Sequence, residues 1–204
     1  AAGRPRAEPP TGRPPPRRAD GLAEVVAAEL CDGVGVSNYS VGEMGSMHAQ
    51  LAARGVPLAS NQIEFSLLRR RPETTGLIEA CRRLGVVPLA YSPIGQGRLT
   101  GKYSASNPPP KSRTFSAHPM EQVDRITAEL ARIGEPHDRS PAQVSLAWLI
   151  AKGAVPIPGA KNAEQATQNA GALGWSLTPE EIDVLDNLAL PGQRTIKQRI
   201  WQHG

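Results

Sequence analysis

Four short apolar runs recur along the chain, at 33–36, 57–62, 86–91 and 154–157, and each is followed by a segment with helical spacing. Runs this short and this uniformly apolar fit strands buried on both faces. Their alternation with helices calls for a parallel sheet wrapped by helices. Helices are expected at 21–30, 41–54, 73–84, 120–133, 140–151, 162–172 and 178–188. Their ends carry the expected signals. Gly55 and Gly85 stop the second and third, and Pro72 opens the third; glycine ends helices and proline suits their first turn. Ser140 precedes Pro141, and Thr178 precedes Pro179 with Glu181 three positions on, the pattern of a capping box. The Gly-rich stretch 94–102 reads as a loop or single helical turn, and 104–119 as a long polar loop.

Each apolar run ends in polar residues: Ser37-Asn38, Asn61-Gln62, Tyr91-Ser92 and Gly159-Ala160-Lys161. In barrel and open α/β proteins the ligand sits at the carboxyl edge of the sheet. A single Asn or Ser there is explained by local hydrogen bonding. Four polar endings in succession point to one shared site.

Composition narrows the classes. The chain is 204 residues, 39% hydrophobic and 21% charged, which suits one domain or part of a larger one. No run approaches the ~18 apolar residues of a membrane span, so a spanning helix is excluded. Cys31 and Cys81 are too few and too far apart for a disulfide scaffold and read as buried thiols of a reducing compartment. The net charge of +4 belongs to the ends. Residues 1–20 hold five Arg against Glu8 and Asp20, and 191–204 hold Arg194, Lys197 and Arg199 without an acid. The stretch between them is slightly acidic. Basic ends without a charged folded face or stacking aromatics argue against a nucleic-acid partner. The segment 1–19 has six Pro and no large apolar residue, so a disordered Pro/Arg-rich segment is expected there, with a basic tail at 191–204. The first residue is Ala, not Met, which reads as a fragment, a processed product or an incomplete gene model.

The strings GVSNYS at 35–40, NQIE at 61–64, AYSP at 90–93, TGKY at 100–103 and PIPGAK at 156–161, with Asn169 beyond them, closely resemble the aldo-keto reductase family. The resemblance spans about 20–190 and is nearest to the plant and cyanobacterial pyridoxal-reductase-like branch. It implies an α/β fold, a partial (β/α)8 TIM barrel made of about the last four strand–helix units. It implies NADP(H) as cofactor and reduction of aldehydes or ketones to alcohols, with a small carbonyl compound as substrate if a longer chain exists. By the same resemblance Ser37, Asn38 and Gln62 would hydrogen-bond the nicotinamide carboxamide, and Tyr91 would stack on the ring. Ser92, Ile94, Gly95 and Gly97 would line the pyrophosphate loop and Lys102 would meet a phosphate. Gly159 would let the chain pass close to the cofactor, Lys161 would pair with the 2′-phosphate, and Gln165, Gln168 and Asn169 would hold the adenine. Gln168 departs from the family's usual Glu. Arg113 would add a second phosphate contact.

The family's chemistry also needs an acid Tyr, a Lys, an Asp and a His, all drawn from the first half of its barrel, and no substitutes are found here. Tyr39 and Tyr103 fall in structural motifs. His48, His118, His137 and His203 lack the spacing of metal ligands. No catalytic residue is therefore assigned and no metal is expected; the chain alone is expected to be inactive. The alternatives are a non-catalytic NADPH-binding or regulatory subunit and a non-functional fragment. A half barrel leaves two parallel edges open, so self-association through them, or instability, is expected. The resemblance and the basic start point to chloroplast or cytoplasm.

Overall fold

The computed structural model describes residues 6–8, 15–110, 118–193 and 202. Five strands, β1 (Arg6–Glu8), β2 (Val34–Ser37), β3 (Leu58–Glu64), β4 (Val87–Tyr91) and β5 (Val155–Pro156), pair in chain order, each parallel to the next. An order that never reverses is the arc of a singly wound barrel; a doubly wound sheet reverses at a switch point. Among the described residues β1 and β5 are each paired on one side only. Val155 and Ile157 stand 48% and 41% exposed at the β5 edge.

The helices are α1 (Pro15–Ala27), α2 (Val41–Ala52), α3 (Arg71–Thr74), α4 (Leu77–Leu84), α5 (Met120–Gly134), α6 (Pro141–Ala151), α7 (Ala163–Ala170) and α8 (Pro179–Leu188). Capping boxes open α2 at Ser40, α6 at Ser140 and α8 at Thr178. The expected helix at 73–84 is two: Gly76, at φ +76°, separates α3 from α4. Core residues from β2, β3, α2, α5, α6 and α8 form one cluster, with Phe65 against Trp148 at a ring-centroid distance of 5.3 Å. Gly35 lets β2 and β3 approach closely, since a Cβ there would meet Ser60 Oγ at 2.3 Å.

Two stretches of the segment at 1–19 carry regular structure where composition predicts none. Arg6–Glu8 lies against Val34–Val36 in parallel register. A three-residue strand needs no apolar side chains, because the backbone of β2 supplies the pairing. The helix α1 begins at Pro15-Pro16, positions whose missing N–H groups would have had no helical partner. Its Ala19 is fully buried. Both cysteines are free thiols; Cys81 is buried, which pushes its pKa to about 12, and Cys31 is half-buried.

Candidate active site at the carboxyl edge of the sheet

Because the strands are parallel, their carboxyl ends meet at one edge. Ser37 is in register with Gln62, and Glu64 with Tyr91. Asn38 leaves β2 at φ +61°, a conformation Asn tolerates better than most residues, and its N–H donates to Gln62 O at 2.8 Å. A polar cluster follows. Tyr91 OH donates to Asn38 Oδ1 at 3.0 Å, Asn38 Nδ2 to Ser37 Oγ at 3.0 Å, and Ser37 Oγ to Gln62 O at 3.2 Å. Behind it Arg69 faces Glu64 at 3.4 Å, both buried. Burial lowers the pKa of Arg69, against the opposing charge of Glu64. Burial, then the Glu64 charge, hold the Tyr91 phenol well above its ordinary value. An efficient proton donor needs a pKa near working pH. Tyr91 is displaced the other way, consistent with a packing surface that keeps its proton.

Beside this cluster lies a cleft of about 840 Å³, walled by the turn after β4, the segment after β5 and the first turns of α7. Ser92, Ile94, Gly97, Lys102, Gly159, Lys161, Gln165, Gln168 and Asn169 all line it. Lys102 and Lys161 are its charged lining residues; no acid is among them. The turn after β4 is tight. Ser92 and Gln96 hold φ +51° and +57°, and Gly97 φ +91°. Gly95 is buried away from the cleft, where a Cβ would meet Leu68 Cδ1 at 2.6 Å. Its work is to seat the turn. At Gly159, by contrast, a Cβ would meet nothing within 4 Å. Asn162 caps α7 by accepting from Gln165 N at 2.9 Å, and Gln165 Oε1 accepts from Lys161 N at 2.9 Å. Asn169 Nδ2 donates to Gly159 O at 3.3 Å. These bonds fold the segment after β5 back onto α7, whose N-terminus favours anions. Ser145 Oγ on α6 donates to Pro93 O at 3.3 Å and fixes the turn from behind.

Thirteen of the fifteen residues singled out in the sequence thus fall into two adjoining groups, joined where Tyr91 runs into Ser92, while Gly95 packs under Leu68 behind the turn. Arg113 lies outside the described residues. Reading by strand ends missed Gln96, Thr100 and Ser140 on the cleft wall. It also missed Arg69 and Gln202, both buried beside Tyr91. Glu64, the last letter of NQIE, was a visible signal: an acid closing an apolar strand. No group of three or more potential metal ligands occurs among the described residues. No helix among them is long and apolar enough to cross a membrane.

His118 lies near this region with Arg98 and Arg69, and burial, then those two charges, lower its pKa to about 4. The unfolded chain, with His near 6.5, binds the proton that the folded chain refuses between pH 6.5 and 4. Stability is therefore full above 6.5 and falls as pH drops through that window, by roughly 2 kcal/mol after discounting for partial exposure. Urea midpoints at pH 7.5 and 5 should differ accordingly, and His118→Gln should remove most of the difference. Equal slopes for the two proteins would contradict the assignment.

A cleft at the carboxyl edge of a parallel barrel arc is where barrel proteins place their ligand sites. The Aldo/keto reductase family model matches residues 10–189, and the chain belongs to that family. It is 38% identical over 185 residues to a chloroplastic pyridoxal reductase of Arabidopsis thaliana, covering 90% of this chain and 50% of that one. It is 32% identical over 184 residues to an NADP(+) aldo-keto reductase, yakc, of Schizosaccharomyces pombe, covering 82% and 54%. A thermostable aldo-keto reductase crystallised with the inhibitor epalrestat superposes with a TM-score of 0.67 at 28% identity, over 88% of this chain and 57% of that one. The chain spans about half the length of the curated relatives it matches.

Proposed function

We propose that this chain is the cofactor-binding half of an NADP(H)-dependent carbonyl reductase. The observation that carries the reading is a cleft of about 840 Å³ that gathers the turn after β4, the segment after β5 and two lysines without an acid. The open space at Gly159 and the capped start of α7 fit a phosphate-bearing ligand that passes close to backbone. Bound NADPH supplies a hydride for an aldehyde or ketone carbon. The chain's own residues do the holding. Lys161 meets the 2′-phosphate, with Gln165, Gln168 and Asn169 against the adenine. Ser92, Ile94 and Gly97 pass the pyrophosphate, with Lys102 as a point charge. Ser37, Asn38 and Gln62 hold the carboxamide, and the Tyr91 ring backs the nicotinamide and selects its exposed face. A proton donor for the alcohol oxygen is expected beyond these residues. The relative's printed name supports chloroplast as the compartment, with cytoplasm the alternative.

The test is a fluorescence titration of the chain with NADPH and NADH. Saturable NADPH binding, tighter than NADH by roughly the 10²-fold that one charge-assisted phosphate pair confers, is expected. Equal affinities, or no binding at millimolar NADPH, would remove the reading. Carbonyl reduction by this chain alone should be undetectable. The outer edges of β1 and β5, unpaired among the described residues and the latter with Val155 and Ile157 exposed, lead us to propose self-association as well. Size-exclusion chromatography should show a dimer or larger; a monomer with a sharp cooperative melt contradicts this.

A further inference from the structure

Gln202 is 1% exposed and reaches residues more than a hundred positions earlier in the chain. Its Nε2 donates to Glu64 Oε2 at 2.7 Å and to Tyr91 OH at 2.6 Å. Its Oε1 accepts from Arg69 Nη2 at 2.9 Å. Turning the amide over would set its N–H groups against the Arg69 guanidinium and its oxygen against the Glu64 carboxylate. The buried Glu64–Arg69 pair therefore fixes which end of the amide faces Tyr91.

That choice propagates. With an N–H of Gln202 pointed at its oxygen, the Tyr91 phenol accepts there, and its one proton goes to Asn38 Oδ1. Asn38 must then present its Nδ2 to Ser37, and Ser37 its proton to Gln62 O. Every group donates in the same direction, from Arg69 to the Gln62 carbonyl of β3. Beyond these bonds Asn38 keeps one N–H and one oxygen lone pair, the complement of a primary carboxamide. Satisfied buried chains of this kind rigidify their members.

We propose that Gln202 is a positioning residue: through the Tyr91 hydroxyl it sets the orientation of Asn38 and Ser37 and holds the Tyr91 ring, so that the site is ready for a nicotinamide carboxamide. This rests on the cofactor reading above and adds a member to the site from outside the strand ends. Its effect is confined to the nicotinamide half, because the cleft that takes the adenosine half is lined by other residues.

The experiment compares two probes on the full chain. NADP+ engages both halves, and adenosine 2′,5′-bisphosphate engages the adenosine half alone. Gln202→Met, close in volume and without the amide, should weaken NADP+ about tenfold and leave the bisphosphate within about twofold. Tyr91→Phe, which removes one oxygen and keeps the ring, should reproduce that split. In the double variant the Gln202→Met effect on NADP+ should vanish, since the chain is already broken at Tyr91. Equal weakening of both probes would make Gln202 a general structural residue and overturn the proposal. Additive effects of the two substitutions, or an unchanged NADP+ affinity in Gln202→Met, would overturn it too. Failure of the unaltered chain to bind the bisphosphate would instead sink the cofactor reading, and the proposal with it.

Discussion

Reversing the charge at Lys161 (Lys161→Glu) is expected to weaken NADPH binding about 10³-fold while changing NADH binding less than about tenfold. A charge-assisted hydrogen bond to a phosphate contributes ~1.5–3 kcal/mol, and a carboxylate in its place adds repulsion of ~1–2 kcal/mol in a partly exposed cleft. Lys161 is well placed for this selectivity. Its backbone N–H is tied to Gln165 Oε1, so its Cα is fixed against the first turn of α7, and its side chain lines the cleft. The other lysine of the cleft, Lys102, sits on the turn after β4, its ammonium 5.7 Å from the Tyr103 ring centroid. In the proposed reading it meets the pyrophosphate, which NADH shares, so its loss should weaken both cofactors alike. Salt gives an independent reading. Screening should weaken NADPH binding to the unaltered chain and strengthen it in Lys161→Glu. A Lys161→Glu variant that binds NADPH within about threefold of the unaltered chain would place the 2′-phosphate elsewhere.

The strand–helix order and the polar strand ends were legible because each rests on local chemistry. A both-faces-buried strand has to be apolar, and the polar break marks where it meets the site. The caps at Ser140 and Thr178 were readable for the same reason, since the bonds they make span three residues. Arg69 and Gln202 were not readable. They meet each other 133 residues apart, and Gln202 meets Glu64 138 residues away, and no periodicity encodes such a pairing. The structure of β1 escaped for a different reason: backbone pairing with β2 is indifferent to the side chains of Arg6–Glu8. Gly95 and Gly159 show a finer limit. Both looked like residues that let a cofactor approach, yet one is packed under Leu68 and the other faces open space. Only the surroundings separate a glycine that seats a turn from one that clears a cleft.

Asp186→Ala should cost about 3–5 kcal/mol of stability, as much as truncating a large core side chain. Asp186 ends α8 and joins three elements. Its Oδ1 accepts from Trp148 Nε1 at 2.8 Å, and its Oδ2 from Arg70 Nη2 at 2.9 Å and from Lys152 Nζ. Glu73 closes the ring with Arg70 and with Lys152, the latter at 3.0 Å. Burial alone would raise the Glu73 carboxyl, but the hydrogen bonds from Arg70 and Lys152 outweigh it and hold the group below its ordinary value. Truncating Asp186 orphans the indole N–H of Trp148, which is fully buried. It also leaves two cations sharing one carboxylate. Orphaning a buried donor costs ~1–3 kcal/mol and breaking a part-buried ion network brings the total into the stated range. For a chain of this length the melting midpoint should fall by roughly 10 °C. Asp186→Asn is the informative partner: its one oxygen still accepts from Trp148, but its NH2 then faces Arg70 and Lys152 where an acceptor had been, so only the indole's share, about a third of the stability, should return. Trp148 packs on Phe65, directly after Glu64, and α6 also holds Pro93 through Ser145. Asp186, Arg70, Glu73 and Lys152 are themselves absent from the cleft wall, so the damage reaches the site only when the scaffold melts, and Asp186→Ala measured well below its midpoint should bind NADPH within about twofold of the unaltered chain. Weak binding in the cold variant, or a melt unmoved by the substitution, would show that this network is not what carries the scaffold beneath the site.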